Sequence, residues 1–343
     1  MKEIEAQPFK NKAFRDIVFP LDDKFFQTEA SFLFQSPIVH KIGSFVLNCS
    51  LKIDNHFVVD IGLEIPSKCF MQKDHLDYVY HRKRALYLTH IANFLLKQQE
   101  LVSNIQFQYL NGDHLKPILF LTPVKLERCV RFRLLPFPAA EKGFQFNKLG
   151  LDRCNIKHQF NEIDLSLSPI YNSSILADVS LLIISNNLQN CFENTANLQS
   201  AMILLKLWLE ARNLKHKFSH ILTVFICHLV KTRQINYFLS TWQIFCSIIE
   251  AISQSSWDSE AVIFNNNDDT IDQMLLSKEY FKHFPVVLID SSTGLNICYN
   301  ITLDVYERLR FDAQIAIKQS QNKAFDELFY PIDFGSYFDQ YLL

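Results

Sequence analysis

The period at which apolar residues recur changes several times along this chain, and each change marks an element. Phe57 to Ile65 places apolar side chains at every second position and is closed by Pro66, which predicts a strand. Phe32-Leu33-Phe34 and Lys41–Cys49 before it also read as extended. From Asp74 to Gln98 the period lengthens. Leu88, Ile91, Ala92 and Leu95 fall at i, i+3, i+4 and i+7, predicting a long helix with one buried stripe. Ile105–Tyr109 and Pro117–Leu121 predict a hairpin that turns through Asn111-Gly112-Asp113. Cys129–Leu135 predicts another strand, stopped by Pro136 and Pro138.

Between Phe144 and Pro169 the pattern blurs, and the second half is mainly helical. Ala201, Leu204, Leu205 and Trp208 mark one face of a helix ending near Arg212. Ile221–Val230 and Trp242–Ile252 are two more apolar helices. Asn265-Asn266-Asn267-Asp268-Asp269 is a polar loop. Phe284–Ile289 predicts a strand, with Leu295–Cys298 returning after a turn at Asp290-Ser291-Ser292-Thr293-Gly294. A length of 343 residues suits two domains, placed at 1–167 and 168–343. The class is α+β: a mixed sheet with flanking helices, then a helical domain.

Composition narrows the function more by exclusion than by indication. A net charge of −2 leaves no global basic balance, so any nucleic-acid contact must come from local patches. The eight cysteines are scattered without C-x-x-C or zinc spacing, and read as reduced thiols. The seven glycines form neither a P-loop nor a dinucleotide-binding pattern. The first residues, MKEIEAQPFKNKAF, have no apolar core of the signal-peptide kind, and no run has the ~18 apolar residues of a membrane span.

The chemistry is concentrated at residues 42–65. Ile42-Gly43-Ser44-Phe45 followed by a strand bearing Asp60 is the layout of the nucleotidyltransferase fold. There a Gly-Ser turn meets the triphosphate, and carboxylates at i and i+2 share a strand face and hold paired metal ions about 3.5–4 Å apart. Here the second carboxylate position is Gly62, which can ligate nothing. Glu64 shares the face but lies about 13 Å along the strand. The strand expected to carry a third carboxylate offers Arg131 and Arg133 instead, and Asp164 fills that role only if the strands are assigned differently. The site therefore reads as vestigial, with Gly43, Ser44 and Asp60 as its remnants, no catalytic residue, no metal and no cofactor. A nucleotidyltransferase-like sheet followed by a helical domain is the architecture of poly(A) polymerases and oligoadenylate synthetases.

A closer resemblance is carried by Val59-Asp60, Leu63-Glu64 and Pro66, by Lys73-Asp74, by His81-Arg82-Lys83-Arg84-Ala85-Leu86-Tyr87-Leu88 and by Asn111–Pro117. Pro169, Tyr171-Asn172, Leu205-Lys206, Trp208-Leu209, Arg212, Phe284–Val287 and Asp290-Ser291-Ser292 extend it through the second half. In order and spacing these resemble the Nrap family of nucleolar RNA-associated proteins. That resemblance implies a nucleolar component of the small-subunit processome acting in maturation of pre-18S ribosomal RNA. It implies as partners pre-ribosomal RNA and other processome proteins, including a kinase-containing subcomplex. It also implies that this chain corresponds to the first unit of a longer protein.

Two basic clusters are candidates for contact with RNA or a partner: Arg82, Lys83 and Arg84 in the long helix, and Arg131 with Arg133, which share a strand face and suit a phosphate. The bland alternative for the helical run is a solvated face, or cations bracing nearby carboxylates. Asp290 and its serines fit a tight turn, and Trp208 and Trp242 fit a core. The function expected is a scaffold without catalysis. An active template-independent nucleotidyltransferase, and a protein-interaction module without RNA contact, stay open as alternatives.

Overall fold

Strand pairing is organised by the alternating stretch around Asp60. The computed structural model describes residues 20–21, 34–53, 56–126, 129–139, 144–156, 168–264, 273–322 and 325–331. In it β1 (Ile38–Ile42), β2 (Lys52–Ile53) and β3 (His56–Ile65) precede helix α1 (Val79–Leu96), followed by β4 (Val102–Tyr109), β5 (Pro117–Pro123) and β6 (Val130–Pro138). The sheet order is β1-β3-β6-β5-β4, with β2 also paired to β3. β3 and β6 run parallel, which sets Asp60 opposite Arg133 and Val58 opposite Arg131. The other pairs in this sheet are antiparallel.

One face of the sheet is closed by α1. Leu63, Leu119, Leu121 and Leu134 meet Leu88 and Ala92, with Ile91 and Leu95 packed against them. The stripe expected from the sequence is thus the face that α1 buries. The helix starts later than expected because Asp77 and Tyr78 adopt left-handed backbone, with φ of 50° and 62°. The extended stretch expected at Lys41–Cys49 ends at Ile42, and the chain then turns back so that Cys49 N–H donates to Ser44 O at 3.0 Å. β6 runs through Pro136 and Pro138. Its pairing with β5 covers only Phe132 to Leu134, so beyond it that side needs no ladder donor and proline is tolerated.

The second half opens with α2 (Ser168–Val179), α3 (Leu181–Phe192), α4 (Ala196–Ala211), α5 (Lys215–Lys231) and α6 (Thr241–Ser253). A small sheet of β7 (Val262–Phe264), β8 (Leu288–Asp290) and β9 (Leu295–Asn296) follows, with α7 (Gln273–Phe281) before β8, and α8 (Leu303–Gln321) closes the described fold. The main core joins Trp208, Phe218, Phe245, Trp257 and Leu309 to Leu47, Cys49 and Tyr80, so the halves share one interior. Asp290 is a turn former: its Oδ1 accepts from Ser292 N–H (3.1 Å) and Ser292 Oγ (2.7 Å). Asp164, Phe32, Leu33 and the asparagine loop at 265–269 lie outside the described residues. Among the described residues no helix is long and apolar enough to cross a membrane.

Candidate functional site

The Gly-Ser turn and Asp60 do come together. Gly43 has a φ of 75°, and a Cβ there would collide with Asp60 Oδ2, so only glycine lets the turn close over the carboxylate. Ser44 follows it, half-buried. Asp60 is nevertheless already engaged. From the neighbouring strand Arg133 donates Nε to Oδ1 at 2.6 Å and Nη2 to Oδ2 at 2.8 Å, a bidentate pair that occupies both oxygens.

Gly62 is closely packed on its open side. A Cβ there would meet Phe137 Cε1 at 2.9 Å and Ile42 Cδ1 at 3.3 Å, so the space a second carboxylate would need is filled. Glu64 is tied to His40 Nε2 at 2.6 Å. Among the described residues no three His, Cys, Asp or Glu side chains gather as a metal site.

The helical half closes over this floor. Lys206 of α4 is buried and donates to Cys49 O at 2.7 Å. Burial lowers its pKa, against the pull of Cys49 and Asp60. His220 of α5 has an exposed surface, but the surrounding protein displaces enough water, and Arg133 adds enough positive charge, to lower its pKa, with Asp60 opposing. Arg131 is exposed two positions before Arg133 on the same face.

The basic run on α1 is placed otherwise than expected. His81, Arg82, Lys83 and Arg84 are all buried, so none of them presents a charge to RNA. Lys83 pairs with Asp74 at 2.6 Å and donates to Cys69 O. Arg84 donates Nε to Asp178 Oδ2 at 2.9 Å, and also reaches the carbonyls of Pro136 (3.0 Å) and Pro117 (2.6 Å). Lys116 and the Tyr80 hydroxyl complete the set on Asp178, at 2.9 and 2.8 Å. Burial raises the Asp178 pKa, but Lys116 and Arg84 outweigh it and hold it below the ordinary carboxylate range. These cations brace a carboxylate of α2, and so bind the sheet to the helical half. Asp178 has no signal in the sequence beyond being an acid among apolar residues, because its partners lie 94 and 62 positions away.

Residues 3–194 match the family model of Nrap protein domain 1, and residues 197–330 that of the Nrap protein PAP/OAS-like domain. The chain belongs to the Nrap family. The two matches meet at the turn between α3 and α4, whereas the expected boundary at 168 falls at the start of α2. Nucleolar protein 6 of Mus musculus is 30% identical over 90% of this chain and 27% of its own length. Those of Xenopus tropicalis (27% identical, 85% and 26%) and Drosophila willistoni (31% identical, 76% and 22%) are similar. The Nrap chain spans about a quarter of the length of these curated relatives. They are nucleolar by name, and this Nrap chain is nucleolar with them.

Among solved structures, Cid1 in complex with the UTP analogue UMPNPP matches at 10% identity and a TM-score of 0.47, over 87% of this chain and 86% of that one. The CdnC:HORMA-deltaN complex of E. coli MS115-1 gives 13% identity and 0.49, over 86% and 80%. The Nrap chain has the α+β class expected from its sequence, with a PAP/OAS-like second half.

Proposed function

We propose that this chain is a non-catalytic binding module in ribosome biogenesis, a scaffold unit of the small-subunit processome that holds pre-ribosomal RNA, assembly factors or both. One observation carries the reading: both oxygens of Asp60 accept from Arg133, where a nucleotidyl-transfer site needs them for metal ions. A metal contributes several kcal/mol to such a step, and each ~1.4 kcal/mol is a tenfold change in rate. Phe137 against Gly62 supports the reading further, since no second carboxylate fits. The test is incubation with labelled nucleoside triphosphates, Mg²⁺ or Mn²⁺ and a short RNA primer. No extension is expected. Extension that disappears in Asp60→Ala would make the chain an enzyme.

A second reading, a protein-interaction module without RNA contact, is favoured by the burial of Arg82, Lys83 and Arg84 in a chain of net charge −2. It differs in a measurable way. RNA bound through phosphates weakens log-linearly with salt, whereas this reading gives no RNA affinity even at low salt.

A further inference from the structure

We propose that the outer edge of β4 is a self-association surface, on which β4 of a second copy of this chain pairs antiparallel. Such pairing joins the two sheets and does not depend on RNA. β4 is the last strand of the order β1-β3-β6-β5-β4, and β5 is its one strand partner among the described residues. Leu110 N–H donates to Lys116 O. The same register carries back through Gln108 opposite Ile118 and Gln106 opposite Phe120. In an antiparallel ladder, successive residues alternate in the side to which they bond. The even-numbered residues therefore bond inward to β5, and Ile105 and Phe107 turn their backbone N–H and C=O groups outward.

Sheet edges are normally blunted by short length, charge, proline or a bulge. β1, at the opposite edge, has five residues and an exposed Lys41. β4 has eight, Val-Ser-Asn-Ile-Gln-Phe-Gln-Tyr, with no charge and no proline. Its one irregularity lies at its start, between Val102 and Asn104, and leaves the middle of the strand regular. Ile105 and Phe107 pack on the sheet core from one face yet stay half-buried, while Asn104, Gln106 and Gln108 are exposed.

The strand is complementary to itself, which selects a second copy over an unrelated segment. With Gln106 opposite Gln106 of the second copy, Ile105 of each copy faces Phe107 of the other. Both residues then exchange backbone hydrogen bonds across the junction. The two pairs, each an aromatic ring against a β-branched side chain, lie on the face where α1 packs. A two-fold axis through Gln106 generates this arrangement, so the contact is isologous and closes at two copies. Neither strand carries a charge, so no like charges meet across the junction. Pairing also covers the flanks of Ile105 and Phe107 that a single copy leaves open to water.

The test is sedimentation velocity on the 343-residue chain. The concentration runs from about 1 to about 100 µM, where small interfaces associate. The average mass is expected to rise with concentration toward twice the 40.1 kDa of one chain. Gln106 is exposed, so changing it leaves the fold intact. Gln106→Lys and Gln106→Glu each set like charges directly opposite, and each should weaken association by about fivefold. Mixing the two variants sets opposite charges there and should restore association to at least the parental strength. A mass of one chain at every concentration overturns the proposal and leaves the edge to another protein or to another segment of this chain. Association that neither variant alters overturns it too, since the copies would then meet at a different surface. A mixture no stronger than either variant alone does the same, because residue 106 would not face its own copy.

Discussion

Two buried aspartates in this chain each hold an arginine, one arginine fully buried and the other partly open to solvent. Arg84, on Asp178, is 0% exposed and shares its carboxylate with Lys116 and Tyr80. Arg133, on Asp60, is 30% exposed and is the one side chain hydrogen-bonded to its carboxylate among the described residues. Desolvating two cations and an anion costs several kcal/mol per ion, which only close geometry and extra hydrogen bonds offset. The Asp178 network has both, and it ties sheet to helices. The Asp60 pair is partly screened, contributes less to stability, and leaves a guanidinium edge facing solvent. The same residue pair is thus a fastening where two layers meet and an open surface where they part.

The comparison breaks most visibly at Asp178. Asp178→Asn leaves Arg84 and Lys116 buried beside a neutral amide, and removing one member of a buried ion set typically costs about 3–5 kcal/mol. Urea unfolding should show that loss, while Asp60→Asn should cost less, because Arg133 is 30% exposed and can be solvated when its partner is neutral. Equal losses at the two sites would mean that burial does not separate them.

Acid acts on the same junction. His81, whose Nε2 lies 3.2 Å from Ser174 Oγ, is held neutral. Burial, and then Lys116, lowers its pKa from 6.5 to about 3. Both states are neutral above pH 6.5, so its effect is absent there. As pH falls below that value the unfolded chain takes up the proton and the folded chain does not, so stability is lost down to about pH 3. The expected loss is about 3 kcal/mol by pH 4. His81→Gln should flatten that limb of the stability curve, and parallel curves for parent and variant would remove His81 as its source.

Gly62→Asp tests whether a second carboxylate beside Asp60 is enough for a metal ion to bind. The new Cβ falls 2.9 Å from Phe137 Cε1, so overpacking should cost about 1–3 kcal/mol. Calorimetry with Mg²⁺ should still show no binding, because Arg133 remains on Asp60. Magnesium binding by Gly62→Asp would show that the arginine yields.

Much of this was legible in the residues. The alternation at 57–65 and the helical stripe at Leu88, Ile91, Ala92 and Leu95 each report one buried face, and pattern records burial directly. The meeting of Gly43 with Asp60 was legible because the Gly-Ser turn and the strand lie 17 positions apart in a known layout. The basic run at 82–84 offered two readings, a binding patch or cations bracing carboxylates, because charge pattern alone cannot say what covers a helix. Arg84 is covered by α2, 94 positions on, through Asp178, and Lys83 by Asp74. The Asp60–Arg133 pair was half legible. Both residues were noticed, but a parallel register between strands 73 positions apart has no local signal.

Asp60→Asn has the smallest expected effect on stability and separates the most readings. An amide cannot hold Arg133 in a charge-assisted bidentate pair, so the guanidinium is freed at the sheet surface. If phosphates bind there, RNA affinity at low salt should rise several-fold, and the salt slope should steepen by up to about 0.7 for one further phosphate. An enzyme would behave oppositely, losing its activity with a metal ligand. Unchanged affinity with a folded variant would assign RNA to another surface, and the Asp60–Arg133 pair would then be a closed remnant of the sheet.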